Sequence, residues 1–262
     1  MYNVQIVDNE PIIFSSLELQ TLPQIAIIDE TATACFGCLT KTANALQIQV
    51  HRHLQPYWNV SAIVKAYRSI NEVPVNAWIV YVRDNVVVDG ILERSLKGVH
   101  QFKDGLPYAI VKKWEFYPQT LSHEICEMLV NSKLNYYIKS TYNGKIVYYL
   151  NEVAGATQDV DFAYTINGVT VTDFYTRSYY DLTWKPNTRY SFTGVIIRPK
   201  DILSGGYTSF VDDLGQWWQV FGVGGRERLI KLGESFGENY QNVGLVALVI
   251  LLIIYFYQRK NE

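Results

Sequence analysis

Residues 118–131 read PQTLSHEICEMLVN, and the fold and chemistry of the chain turn on this stretch. Its apolar positions Leu121, Ile125, Met128 and Leu129 follow the i, i+4, i+7, i+8 spacing of one buried helical face, with Thr120 after Pro118 as the expected N-cap. On that helix His123 and Glu127 stand four apart, one above the other, where two side chains grip a single ion. Glu124 is rotated from them by roughly 100° and reaches a water on that ion without ligating it, which is where a general base stands. The pattern is His-Glu-x-x-Glu where a zinc peptidase usually shows His-Glu-x-x-His. A solvated acidic face is the competing reading, because carboxylates at these offsets from a histidine also arise by chance. A third ligand has to come from another segment. Glu152 in YYLNEVAG, 25 residues beyond Glu127, is the best placed, with Asp159 and Asp161 as alternatives.

Around this helix the patterning is mixed. Alternation and β-branched content predict strands in NAWIVYVRD, NVVVDGI and PYAIVKKW, the last entered through the turn Asp104-Gly105. KIVYYL and TRYSFTGVIIR also read as strands, and Asn143-Gly144 and Asn167-Gly168 as hairpin turns. From Leu39 to Trp58 the residues Leu46, Val50 and Leu54 recur every four, which predicts an amphipathic helix. His51 and His53 near its end point about 200° apart, cannot share a metal, and are expected to face solvent. Cys35 and Cys38 form a lone Cys-x-x-Cys; with no second pair to complete a zinc site, two small buried thiols are expected, and a redox pair is the alternative.

The whole chain sets wider bounds. At 262 residues, 48% hydrophobic and 14% aromatic, it has the composition of a packed protein. The net charge of −2 with no long like-charge run leaves no footprint for nucleic acid. The start MYNVQIVDNEPII has neither the basic region nor the long apolar run of a signal peptide. Near the other end, Val243 to Tyr257 is an uncharged apolar run of 15 residues followed by Arg259 and Lys260. Tyr255, Phe256 and Tyr257 make an interfacial belt, and the flanking polar residues extend the run toward the ~20 residues of a span, so a transmembrane helix is expected over 241–258. Basic residues lie on both sides of it, so orientation is undecided. The glycine- and tryptophan-rich stretch before it reads as a linker.

A resemblance organises these pieces. ALQIQVHRHLQPYWNV, GVHQFKDGLPYAIV, TLSHEICEMLVN, NEVAGATQD and INGVTVTDFYTRSYYD occur in that order from Leu39 to Asp181. This series resembles a family of zincin-like proteins of phages, prophages and bacteria over about 140 residues, leaving out the cysteine-bearing start and everything after Pro186. The family's motifs fall here on His100, on Gly105, Pro107 and Ala109, on His123, Glu124 and Glu127, on Glu152, and on Asp173 and Phe174. Two places depart from it: Val153, Ala154 and Gly155 stand where relatives carry Cys-Asp-Pro, and the Thr-Arg-Ser-Tyr-Tyr-Asp segment lacks a proline.

The resemblance implies an α+β fold, a zincin-like mixed sheet with an active-site helix, to which the sequence adds a C-terminal transmembrane helix. The expected divisions are an N-terminal segment at 1–38, the zincin-like domain at 39–203, a linker and juxtamembrane segment at 204–240, the span at 241–258 and a tail at 259–262. The expected metal ligands are His123, Glu127 and Glu152, with Glu124 as general base. His100 is either a cleft-facing group that stabilises an oxyanion or adds a ligand, or a satisfied histidine in a turn; the resemblance places an edge strand after it. One imidazole and two carboxylates form a hard, anionic set that takes Zn²⁺, with Mn²⁺ or Ca²⁺ as alternatives. The expected function is a membrane-anchored metallopeptidase of a phage virion or bacterial envelope, with lipid and other virion or envelope proteins as partners. The competing expectation is an inert structural protein of a virion that keeps the scaffold, with its metal a staple or lost.

Overall fold

The computed structural model describes residues 4–232. The proposed span at 241–258 and the tail lie outside the described residues, among which no helix is long and apolar enough to cross a membrane. The chain opens with strand β1 (Gln5–Ile6) and helix α1 (Ser16–Thr21), whose Ser15 and Glu18 cap each other's backbone amides. It then enters β2 (Gln24–Asp29) and α2 (Phe36–Ile48), which continues through a π-helical stretch, Gln49–Leu54, into α3 (Gln55–Trp58). Leu46, Val50 and Leu54 are fully buried along this rod, as their spacing predicts.

Next come β3 (Ile63–Tyr67), β4 (Trp78–Arg83), the small hairpin β5 (Val87–Val88) and β6 (Ile91–Leu92), then β7 (Gly98–Lys103) and β8 (Leu106–Lys112). Five of these strands form a mixed sheet in the order β3-β2-β4-β8-β7, parallel throughout except for the antiparallel edge strand β7. Helix α2 covers β2 and β3, and helix α4 (Tyr117–Val130) covers β7 and β8. Period-2 alternation divides β8 between two cores. Ala109 and Val111 face the helices, while Tyr108 and Ile110 meet Val86, Val88 and Leu96 beneath the sheet.

The strands β9 (Tyr137–Tyr142), β10 (Lys145–Leu150), β11 (Tyr164–Ile166) and β12 (Val169–Val171) follow. β1, β11 and β12 make a small sheet whose last strand packs on α4. Asp104-Gly105, Asn143-Gly144 and Asn167-Gly168 all hold positive φ at both residues, the backbone that tight hairpins need and asparagine, aspartate and glycine supply most easily.

Several expectations are corrected. The stretch expected to be a linker, 204–240, instead contributes β13 (Tyr207–Asp212), β14 (Trp217–Val223) and β15 (Arg226–Lys231) to a second, antiparallel sheet ordered β15-β14-β13-β10-β9. Its glycines allow close approach: a Cβ on Gly206 would collide with the Ala156 carbonyl, and one on Gly222 with the Leu203 carbonyl. TRYSFTGVIIR forms no strand beyond one bridge, Tyr175 to Ser191, because Asp173 takes the Thr193 amide and the chain turns into the Phe174–Phe192 ring stack. Cys35 and Cys38 are exposed and disulfide-bonded, not buried thiols. His53 is buried, stacked on Phe192 and hydrogen-bonded to the Tyr164 hydroxyl at 2.9 Å, because α2 and its continuation are covered on two sides. Burial drives its pKa down to about 4, so it is a neutral core ring.

Candidate metal centre

Helix α4 begins at Tyr117 with Phe116 at its cap, four residues before the expected cap at Thr120. Pro118 occupies the first turn, where its missing N–H costs nothing, and the Thr120 hydroxyl accepts from Trp114 Nε1 at 3.1 Å instead of capping. Its rear is pinned by a buried polar network. Ser122 Oγ donates to Gln49 Oε1 at 2.6 Å and accepts from the Thr172 amide at 2.9 Å, and Gln49 Nε2 donates to the Thr172 carbonyl and the Tyr164 hydroxyl. With every donor and acceptor in it paired, this network sets the rotation of the helix about its axis.

That rotation presents Gln119, Thr120, His123, Glu124 and Glu127 to a cavity of about 350 Å³. Across it lies β7, and the antiparallel pairing of His100 with Ala109 turns His100 to the helix face of the sheet. His100 thus sits in the edge strand itself, not before it. From the far side, the chain leaving β10 brings in Glu152. The Ala154 amide donates to Glu127 Oε1 at 3.2 Å, and Val153 and Ala154 are fully buried, so small residues fit this loop against the helix.

All five expected site residues therefore line one cavity. Exposure is 5% for His100, 7% for His123, 5% for Glu124, 2% for Glu127 and 5% for Glu152, which removes the solvated acidic face from consideration. Glu127 stands between the imidazoles, with Oε1 3.2 Å from His123 Nε2 and Oε2 3.7 Å from His100 Nδ1. His100 Nδ1 is also 3.2 Å from Glu124 Oε2. The His100–Glu124–Glu127 group, with ligand atoms within 4.8 Å of one another, has the geometry to hold a metal ion. Donors about 2.0–2.2 Å from one ion lie roughly 3–4 Å apart; His100 Nδ1 stands 3.2 Å from Glu124 and 3.7 Å from Glu127, and the group includes neither His123 nor Glu152. Asp159 lines the cavity without joining the cluster, and Asp161 is exposed outside it.

The donor chemistry fits a cation. Buried carboxylates are ordinarily paired or metal-bound, yet Glu152 Oε2 and His100 Nε2 are buried with no hydrogen-bond partner. Burial lifts the Glu152 carboxyl well above the usual carboxylate range, and the neighbouring Glu127 charge lifts it further. Burial disfavours the His123 imidazolium, but Glu127, by charge and hydrogen bond, with help from Glu124 and Glu152, overrides it and raises the pKa to about 9. Burial would also raise Glu127; the charge and hydrogen bond of His123, with His100, instead hold it below the ordinary range. Protons on His123 and Glu152 thus offset negative charge that a divalent cation would neutralise in their place.

Three features of the cavity escape sequence reasoning. Gly98 makes room for Glu124, since a Cβ there would lie 2.5 Å from Glu124 Oε1 and 2.7 Å from Thr120 Cγ2. The Gly-x-His pattern contained that signal without its meaning. Lys97 rests its ammonium 3.7 Å from the centre of the Trp114 ring at the cavity wall. Tyr207, from the supposed linker, is a buried wall residue whose phenol is kept neutral by burial and by Glu152, Glu127 and Glu124. Asp173, matched by the resemblance, lies outside the cavity. It is fully buried and accepts the amide and hydroxyl of Thr193 at 3.0 and 2.8 Å, a structural role.

Comparison of the chain with known protein families, with curated proteins and with solved structures finds no match.

Proposed function

We propose that the chain is a zincin-like metalloprotein, a membrane-anchored metal-dependent hydrolase whose simplest substrate is a peptide. The observation that carries this reading is the convergence of two imidazoles and three carboxylates, all buried, on one cavity. His123, Glu127 and Glu152 are the ligands and Zn²⁺ the metal, with Mn²⁺ or Ca²⁺ as alternatives for so hard a donor set. When bound, the ion supplies Lewis acidity toward a carbonyl oxygen and toward water. Glu124, oriented by the 3.2 Å contact with His100, takes the proton of the attacking water and returns it to the leaving amine. Tyr207 offers a neutral hydroxyl at the cavity wall for developing negative charge.

The mixed sheet, with antiparallel β7 running beside α4, supports the zincin-like assignment, as does the order of the motifs from Leu39 to Asp181. The apolar run within 241–258 supports a membrane address in a virion or bacterial envelope, and the 20 tyrosines suit packing against other proteins there.

A second reading rests on one specific observation. Glu124 itself falls in the three-donor group with His100 and Glu127. As a ligand it could not serve as base, and the ion would be a staple in a structural protein. Glu124→Gln in the full chain separates the two. As base, its loss leaves metal content intact and slows casein hydrolysis by about 10²–10⁴-fold. As ligand, its loss empties the site. Retention of both metal and full activity would refute the mechanism.

A further inference from the structure

The exposed Cys35–Cys38 pair lies far from the metal chemistry in sequence and has no part in it. It sits where the chain leaves β2 and enters α2, at the carboxyl end of the parallel strands. β3 lies on one side of β2 and β4 on the other, so strand addition reverses direction there, the place where α/β sheets form their crevices.

As a clip the bond does little. It spans two residues inside the first helical turn, with Cα atoms 5.2 Å apart, and joins no distant segments. Helix α2 is fastened independently by Leu39, Ala43, Leu46 and Ile48 in the core. The preceding loop is held by the Glu30 amide on the Val82 carbonyl and by Arg83 on Glu30 at 2.7 Å.

The environment suits sulfur chemistry. Cys35 is the N-cap of a 13-residue helix, and its Sγ accepts the Cys38 amide at 3.2 Å, so backbone N–H groups and the helix dipole are placed to stabilise a thiolate on Cys35. The Arg68 guanidinium lies 4.1 Å from the centre of the ring of Phe36, the residue after Cys35. The third cysteine of the chain, Cys126, is fully buried, and burial pushes its thiol well up, so it does not compete.

We propose that Cys35 and Cys38 form a thiol–disulfide exchange site whose substrate is an exposed disulfide of a partner protein or small thiol compound. In the reduced form the Cys35 thiolate attacks one sulfur of the partner disulfide; that S–S bond breaks, a mixed disulfide forms on Cys35, and the other partner sulfur leaves as thiolate. Cys38, having lost its proton to solvent, attacks Cys35 Sγ, re-forms the Cys35–Cys38 bond and expels the second partner thiolate. Both partner thiolates take up protons. Two electrons have passed to the partner, and a dithiol donor restores the reduced pair by the reverse sequence.

The test uses the full chain in mild detergent, reduced with dithiothreitol and freed of it, and two variants of exposed side chains, Cys38→Ser and Cys35→Ser. Iodoacetamide alkylation of Cys35 followed against pH is expected to be half-maximal below about 7.5, against ~8.5 for a free thiol. With oxidised glutathione at pH 7, Cys38→Ser is expected to form a mixed disulfide on Cys35 roughly tenfold faster than Cys35→Ser does on Cys38. Half-maximal alkylation at or above about 8.5, or equal rates in the two variants, would overturn the proposal.

Discussion

Gly98→Ala is the smallest perturbation that reaches the metal centre. The added methyl would lie 2.5 Å from Glu124 Oε1, 3.0 Å from Glu124 Cγ and 2.7 Å from Thr120 Cγ2. Regaining van der Waals separation requires the carboxylate to retreat by about 1 Å. Thr120 leaves little room for an alternative adjustment, because its hydroxyl is tied to Trp114. A 1 Å retreat breaks the contact of Glu124 with His100 Nδ1, now 3.2 Å, and disturbs the grouping of both with Glu127. Overpacking of this kind costs about 1–3 kcal/mol of stability. Loss of an orienting partner costs a metal site about 10- to 100-fold in affinity or activity. Casein hydrolysis at saturating zinc is therefore expected to fall by that factor in Gly98→Ala, with metal content unchanged. Hydrolysis should stay at the parent's rate in Gly37→Ala, where a Cβ meets open space. Unchanged activity in Gly98→Ala would refute the claim that this packing holds Glu124 in place as the base.

Glu152→Gln removes a buried carboxylate with an unpartnered oxygen, so in chelator its melting temperature should equal or exceed the parent's, while the rise on adding Zn²⁺ disappears; a parent-like rise would remove Glu152 from the ligands. Ser122→Ala leaves Gln49 Oε1 and the Thr172 amide buried without their partner, and urea unfolding should show a loss of about 2–4 kcal/mol. Asp173 has its pKa raised to about 6 by burial, against the opposing hydrogen bonds of Ser191, Thr193 and Phe174, so the folded state binds the extra proton. Its contribution to stability is full below about pH 4 and is lost as pH rises toward 6, by up to about 3 kcal/mol. In Asp173→Asn that slope should be absent from urea midpoints taken between pH 4 and 7.

Much of the site could be read along the chain because its parts are local. The helix 117–130 carries its own spacing, and aspartate- and asparagine-glycine pairs announce their turns whatever surrounds them. The second sheet was hidden because its glycines mimic a linker. Gly206 and Gly222 serve close backbone contact, and Gly224-Gly225, with positive φ at both residues, is a hairpin turn between β14 and β15. Tyr207 was lost with them. Burial of His53 depends on Phe192 and Tyr164, more than a hundred residues away, which spacing within one helix does not reveal. Glu124 shows the same limit from another side. Its offset from His123 marks it as a base, but the pairing of His100 with Ala109 brings it a histidine and sets it in a three-donor group that could hold an ion.

The most direct measurement is bound metal, by elemental analysis, in the full chain purified in detergent without chelator, beside Glu127→Ala and Glu152→Ala. Near-stoichiometric zinc or manganese in the parent, lost in both variants, is the predicted result. A parent without metal, or variants that keep it, would contradict the account.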